Sequence, residues 1–359
     1  MSRIYNFSSG PAMMPTWVLE RAQKEMLEYK ESGQSVMEMS HRSADYMEIQ
    51  AHCEAGIREL LGISDDYYVI FAQGGASLQF SMIPMNLAAN KVLIINTGEW
   101  TKKAYTEHIK IVPTEIIASS ESATFSYIPK VTVDMVDQNA DYLYICQNNT
   151  IFGTRYTRLP ENGNVPIVAD VSSMIFSEPM DIDRYGLIFA GAQKNMGPAG
   201  VCVIILRKDM LKPKNDALPT MMNYYTYIDN DSLFNTPPTY SIYLCDLVCQ
   251  WLKEEIGGLE KIKEINENKA AVLYEYLDNS KLFRNPVNRE DRSLMNVTFV
   301  SPNADMDKLF VKEAAKVGLV NLAGHRLVGG MRASIYNAMP VEGVKALVDF
   351  MKEFEVNHG

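Results

Sequence analysis

Apolar and polar positions along the chain fall into two regimes. Short unbroken apolar runs end in turn residues, and longer stretches carry apolar side chains every three or four positions. Runs of the first kind predict strands over residues 68–71, 92–95, 142–146, 167–169, 187–190 and 201–206. Their continuous hydrophobicity suits strands covered on both faces, as in a parallel or mixed sheet between helical layers. The clearest stretch of the second kind places Tyr46, Ile49, Cys53, Ile57 and Leu60 on one helical face, with Ser43 as N-cap and Gly62 as stop.

Farther along, Pro237 and Pro238 predict a loop over 236–240 before a helix that closes near Gly257 and Gly258. Beyond them Leu259, Ile262, Ile265, Val272 and Tyr276 repeat with helical period. A strand over 294–300, a helix, strands near Val320 and Arg332 and a closing helix follow. The expected architecture is α/β: a large domain over 16–257 with a mainly parallel central sheet, and a smaller C-terminal α/β domain over 258–359. Residues 1–15 are expected to pack with the small domain.

Composition narrows the function classes. With 47% apolar and 22% charged residues in 359, the chain has the profile of a globular enzyme that buries a large core. A net charge of −10 without a basic run disfavours nucleic acid. Cys53, Cys146, Cys202, Cys245 and Cys249 are scattered among apolar neighbours and read as reduced core thiols. Cys245 and Cys249 stand at i, i+4 but lack further ligands, so packing explains them better than a metal. The first residues carry no secretory pattern and no run is long enough to span a bilayer, so a cytoplasmic protein is expected.

The strongest local signal is AGAQKNMGPAG at 190–200, where Lys194 follows an apolar strand and precedes a Gly-Pro turn. Desolvation there would lower its pKa and make the amine a nucleophile toward carbonyls, against the plainer alternative of a solvated turn lysine. Asp170 ends the run IVAD, where its carboxylate would project from the ligand edge of the sheet and hold a protonated pyridine nitrogen; capping a turn is the alternative. In QGGASLQF, at 73–80, the N–H groups of Gly75 and Ala76 would open a helix and suit a phosphate. Trp100, in NTGEW, offers a flat apolar face at the same edge, or core filling. Thr150, in QNNT, is compatible with a hydrogen bond to a ligand or with capping. The absence of G-x-G-x-x-G disfavours a nicotinamide cofactor.

With NFSSGPAMMP at 6–15, SVMEMSHRS at 35–43, CQNNTIFGT, VADVSS, FNTPPT at 234–239 and GHRLVGGMRASIYNA from Gly324, these segments run in order over nearly the whole chain. In them it resembles the class V aminotransferases. The resemblance implies a fold type I transferase dependent on pyridoxal 5'-phosphate, with Lys194 as its Schiff-base lysine. Asp170 is then expected on the pyridine nitrogen, Trp100 on the ring face and Thr150 on the phenolic oxygen. Gly75, Ala76 and Gln193 would hold the phosphate, joined by Asn235 and Thr236 from the other subunit of a homodimer. Ser9 and Arg332 are implied as binders of the substrate α-carboxylate, and His41, Arg42, His325 and Arg326 as a cluster for a distal anion. Asn149 departs from the glutamate that many members carry, at a position with no implied cofactor role.

Within the family, the branch most resembled exchanges the amino group of L-glutamate with 3-phosphohydroxypyruvate. Its products are 2-oxoglutarate and O-phospho-L-serine for serine biosynthesis, and some members also form 4-phosphohydroxy-L-threonine for pyridoxine biosynthesis. Alternatives are an alanine:glyoxylate aminotransferase, a cysteine desulfurase, or a binding protein that keeps the fold without catalysis. Gln193 stands where a desulfurase usually has histidine.

Overall fold

The computed structural model describes residues 3–326 and 328–359. Strand β1 (Tyr5–Asn6) and helix α1 (Thr16–Lys24) lead into α2 (Ala44–Leu61). The Ser43 hydroxyl caps α2 by accepting from Tyr46 N, and Gly62 ends it in the left-handed conformation. Next come β2 (Tyr67–Ala72), α3 (Gly75–Leu87), β3 (Val92–Asn96), α4 (Glu99–His108), β4 (Thr114–Ser119) and β5 (Tyr142–Cys146). A small hairpin of β6 (Asn148–Asn149) and β7 (Thr154–Arg155) precedes β8 (Ile167–Asp170), β9 (Tyr185–Gly191) and β10 (Cys202–Arg207). Helices α5 (Tyr224–Ile228), α6 (Thr239–Trp251) and α7 (Leu259–Asn279) then lead to β11 (Asn296–Phe299), α8 (Ala304–Lys316), β12 (Leu319–Val320), β13 (Met331–Ser334) and α9 (Val341–His358).

The main sheet has the order β2-β10-β9-β8-β5-β3-β4, and β10 is the strand that runs against its neighbours. Each apolar run named above forms a strand, and the sheet is α/β and mainly parallel as expected. Strand β4 was not anticipated: TEIIAS lies on the sheet's edge, half exposed, so it lacks the unbroken apolar signature of a covered strand. The loop at Pro237 and Pro238 is present but shorter than expected, because α6 already starts at Thr239.

Successive strand residues point to opposite faces, and each face has its own core. Leu93, Ile145, Ala169 and Ile188 pack with α2 and α6 residues such as Ile57 and Val248, while Ile94, Tyr144, Val168 and Phe189 pack with Phe80 and Ile83 of α3. A third core gathers Phe299, Phe310 and Phe354 around Phe7. Phe7 also joins the small sheets, donating from N to Val320 O at 3.0 Å and accepting at O from Ser334 N at 3.2 Å. The five cysteines are all buried, and no His/Cys/Asp/Glu cluster suited to a metal occurs among the described residues. No helix among them is long and apolar enough to cross a membrane.

Asp141 locks the N-terminal edge of the sheet. Its Oδ2 accepts from the N–H groups of Ala89, Asn90 and Lys91 at 2.9, 2.6 and 3.1 Å, and Oδ1 pairs with Lys212 at 2.9 Å. Burial works to raise the Asp141 pKa, but the Asn90 and Ala89 N–H groups and the Lys212 ammonium outweigh it and hold the pKa below the usual carboxylate value. A carboxylate depressed in the fold stabilises above its unfolded pKa and loses that contribution as pH falls through the folded one. Asp141→Ala is therefore expected to cost about 1–3 kcal/mol in urea unfolding at pH 7. The difference from the parent should shrink at pH 3, and an equal deficit at both pH values would rule out this role for the charge.

Candidate functional site

Strands β2, β3, β5, β8 and β9 run in one direction, and the chain leaving each of them lines a cavity of about 230 Å³ at their C-terminal edge. Lys194 enters from the turn after β9. That turn is fixed on both sides: Gly197 N donates to Ala192 O at 2.9 Å, and the Asn195 amide donates to Ile175 O at 2.7 Å. The lysine Nζ donates to Thr150 Oγ1 at 2.8 Å and lies 5.3 Å from the centroid of the Trp100 ring. Gly10 passes so close that a Cβ there would meet Lys194 Cγ at 3.3 Å, and its φ of +144° also favours glycine. Withdrawal from bulk water lowers the Lys194 pKa; the Asp170 carboxylate opposes this and the Arg332 charge adds to it.

Asp170 is the last residue of β8, in register with Cys146, and is 5% exposed. Its Oδ1 accepts from Ser172 N at 2.9 Å, while Oδ2 has no partner among the described residues and the side chain borders the cavity. Trp100 lies in the first turn of α4 with Nε1 buried and unpartnered. Gly75 and Ala76 open α3, whose first N–H groups have no acceptor one turn back, so this end of the cavity carries the positive pole of the helix. Gln193 borders the same cavity.

At the other end Arg332, on β13, donates from Nη2 to Ser9 Oγ at 2.7 Å and from Nη1 to Thr150 O at 3.2 Å; its buried Nε has no partner. Burial lowers the Arg332 pKa. His325 also borders the cavity. Burial and then the charges of Arg332 and Arg326 lower its pKa, so below pH 7 it gains a proton less readily than a free imidazole.

Not every expected residue reaches this cavity. Asn235, Thr236, His41 and Arg42 lie elsewhere in the chain's surface: Thr236 Oγ1 meets His41 Nδ1 at 3.1 Å, and Gln73 Nε2 donates to Thr236 O at 3.1 Å. Arg326 does not line the cavity either, so of the two His-Arg pairs His325 alone borders it. Gly10, Ser77, Phe80, Ile151 and Ser172 do line it and were not anticipated. Ser77 and Phe80 were visible within QGGASLQF and Ser172 within VADVSS, next to residues already singled out.

The unpartnered Trp100 and Arg332 donors, the open start of α3 and an amine poised over an indole fit a flat, phosphorylated aromatic aldehyde, and they fit pyridoxal phosphate. A model of the family described as aminotransferase class-V matches residues 4–347. A phosphoserine aminotransferase of Bacillus cereus is 51% identical over the full length of both chains. Two solved structures superpose closely. The phosphoserine aminotransferase of Bacillus circulans subsp. alkalophilus has a TM-score of 0.96 at 44% identity over 99% of each chain. The pyridoxal-phosphate-bound enzyme of Trichomonas vaginalis has a TM-score of 0.92 at 39% identity, covering 98% of this chain and 100% of its own.

Because its amine is less basic than that of a surface lysine, Lys194 should be the first lysine captured when apoprotein at pH 7 is given one equivalent of pyridoxal phosphate and then borohydride. Peptide mass spectrometry is expected to find the reduced adduct on Lys194. Labelling spread evenly over the surface lysines would contradict the pocket geometry.

Proposed function

The chain belongs to the class V aminotransferases and is a pyridoxal-phosphate-dependent transaminase, and on that premise we propose how its residues work on L-glutamate and 3-phosphohydroxypyruvate. The reaction yields 2-oxoglutarate and O-phospho-L-serine, as in serine biosynthesis. The observation that carries the proposal is the single cavity in which the Lys194 amine, Asp170, Trp100 and Thr150 meet below Arg332 and Ser9.

When bound, the cofactor supplies an electron sink for negative charge at the substrate's α-carbon. Lys194 would anchor it and then serve as the base that takes the α-proton; withdrawal from water lowers its pKa, so the amine gives that proton up more readily than a surface lysine would. Asp170, with Oδ2 uncommitted, would hold a proton on the ring nitrogen. Trp100 would cover the ring face, Thr150 would donate to the phenolic oxygen, and Gly75, Ala76 and Gln193 would take the phosphate. Arg332 and Ser9 grip the α-carboxylate common to both amino donor and acceptor, so one pocket serves both in turn and ping-pong kinetics follow.

The same proposal makes the active unit a homodimer. None of His41, Arg42, Asn235 and Thr236 lines its own cavity; His41 and Thr236 meet each other instead, and His41 Nε2 is buried without a partner. Met37, Met47 and Phe234, close to them in sequence, are large exposed apolar residues at 55%, 48% and 47% exposure. In a pair of chains these residues would complete the neighbour's site, adding His41 and Arg42 to His325 and Arg326 around the substrate phosphate. A cytoplasmic reaction is part of the same proposal; no helix among the described residues is long and apolar enough to cross a membrane. A pocket built for a phosphorylated 2-oxo acid would also admit the longer acid that gives 4-phosphohydroxy-L-threonine. Desulfuration is disfavoured, because burial raises the pKa of all five cysteine thiols and none stands in an exposed loop.

The visible band of the holoprotein should be bleached by L-glutamate and restored by 3-phosphohydroxypyruvate, and Lys194→Ala should show neither change. A band indifferent to both compounds would overturn the substrate assignment. Asp170→Asn, which keeps the shape but not the charge, should lower kcat by roughly 10²–10³; near-parent turnover would remove Asp170 from the chemistry.

A further inference from the structure

Lys269 of α7 is fully buried, and no carboxylate lies within ion-pairing distance of it among the described residues. Its ammonium instead donates to three backbone carbonyls, Ile335 O at 3.1 Å, Tyr336 O at 2.7 Å and Met339 O at 3.0 Å. These use all three of its N–H bonds. Burial pushes its pKa down to about 7, so the fold carries a cost that an apolar side chain of similar volume would avoid. The carbonyls it gathers belong to one turn, the chain immediately after β13, and β13 carries Arg332.

Two residues of that turn bond to segments of the functional site. The Tyr336 hydroxyl donates to Ser9 O at 2.9 Å and accepts from the Asn296 amide at 3.1 Å, while the Ser9 hydroxyl accepts from Arg332. Asn337 donates from N to Asn195 Oδ1 at 2.9 Å and from Nδ2 to Phe176 O at 2.8 Å. Asn195 adjoins Lys194, and Phe176 sits in the segment after β8 with a left-handed φ of +63°, a conformation a bulky residue adopts when its surroundings impose it. Asn266, one turn before Lys269 on α7, donates to both Asn337 Oδ1 and Ser177 O at 2.9 Å. One face of α7 therefore holds the turn that ties Ser9 and Arg332 to the turn of Lys194.

We propose that Lys269 is a positioning residue for the carboxylate end of the substrate: by gathering three carbonyls it fixes Tyr336, and through Tyr336 the Ser9–Arg332 pair. The proposal rests on the reading of Ser9 and Arg332 as the α-carboxylate grip. It distinguishes a clamp acting on substrate binding from a lysine that merely stabilises the core, because both substrates carry the same α-carboxylate. Disturbing the clamp should raise their two KM values together and leave the cofactor's attachment to Lys194 in place.

The test uses the holoenzyme with Lys269→Met, Tyr336→Phe and the double variant, assayed below each variant's unfolding temperature, with Arg332→Lys as reference. Tyr336→Phe is expected to raise KM for L-glutamate and for 3-phosphohydroxypyruvate by roughly tenfold each, with a smaller change in kcat and an unaltered visible band. Lys269→Met should do at least as much, and the double variant should not exceed Lys269→Met, because both act along one path. Normal KM values in Tyr336→Phe, multiplicative effects in the double variant, or a rise for one substrate alone would overturn the proposal. If Lys269→Met fails to fold, Lys269→Gln, whose amide cannot serve all three carbonyls, takes its place and must raise both KM values; parental values in it, or in Tyr336→Phe, overturn the proposal. An Arg332→Lys enzyme with parental KM values would instead refute the carboxylate grip, and a parent enzyme blind to both substrates would refute the proposed reaction.

Discussion

Parallel pairing of β3, β5, β8 and β9 sends the carbonyl ends of these strands to one edge, and the site consists of what the chain does on leaving that edge. The strands are covered on both faces, so a polar side chain within them would be stranded without water. Asp170 escapes this by taking the last place of β8, where its carboxylate finds the Ser172 N–H and the cavity. Lys194 stands just beyond the end of β9, and Thr150 and Trp100 follow β5 and β3 in the same way. The opposite edge does other work: there Asp141 collects backbone N–H groups and holds the strand starts in register.

Charge is distributed against the grain of the whole molecule. A chain of net charge −10 brings Lys194, Arg332 and His325 to one cavity with Asp170 as the carboxylate on its wall. Each of the three bases is less basic than in water, and burial is the first cause each time. The pocket therefore stores unfavourable desolvation that an anionic ligand relieves. This favours ligands with a carboxylate at the Arg332 end and a phosphate at the α3 end.

Much of this was legible in the residues alone, for reasons that can be named. Lys194 and Asp170 stand directly after runs too apolar to be anything but buried strands, so their position relative to the sheet edge followed from pattern. Strand β4 was hidden because edge exposure lets Glu115 and Ser119 into it. That His325 alone of the two His-Arg pairs borders the cavity could not be read, since proximity across hundreds of residues leaves no local trace. Lys269 did leave one: it interrupts the apolar stripe of α7 among Ile262, Ala270 and Leu273, where a solvated lysine has no place. The asparagines it works with, Asn195, Asn266 and Asn337, are ordinary in sequence, and their joining depends on side-chain amides meeting between segments far apart in the chain.

The contact between Ser9 and Arg332 spans 323 positions, and β1 pairs in parallel with β12, so a segment made early is held by one made much later. For a polypeptide emerging from the ribosome, the central sheet can assemble while the opening segment still waits without its strand partner. The Ser9–Arg332 contact forms only once β13 has been made. Closing so long a loop costs about 3 kcal/mol more than closing one of ten residues, a modest entropy set against the Phe7 side chain entering the C-terminal core. The closure that completes the pocket thus follows the making of β13, and a nascent chain holds Lys194 and Asp170 before it has the cavity wall of Ser9 and Arg332.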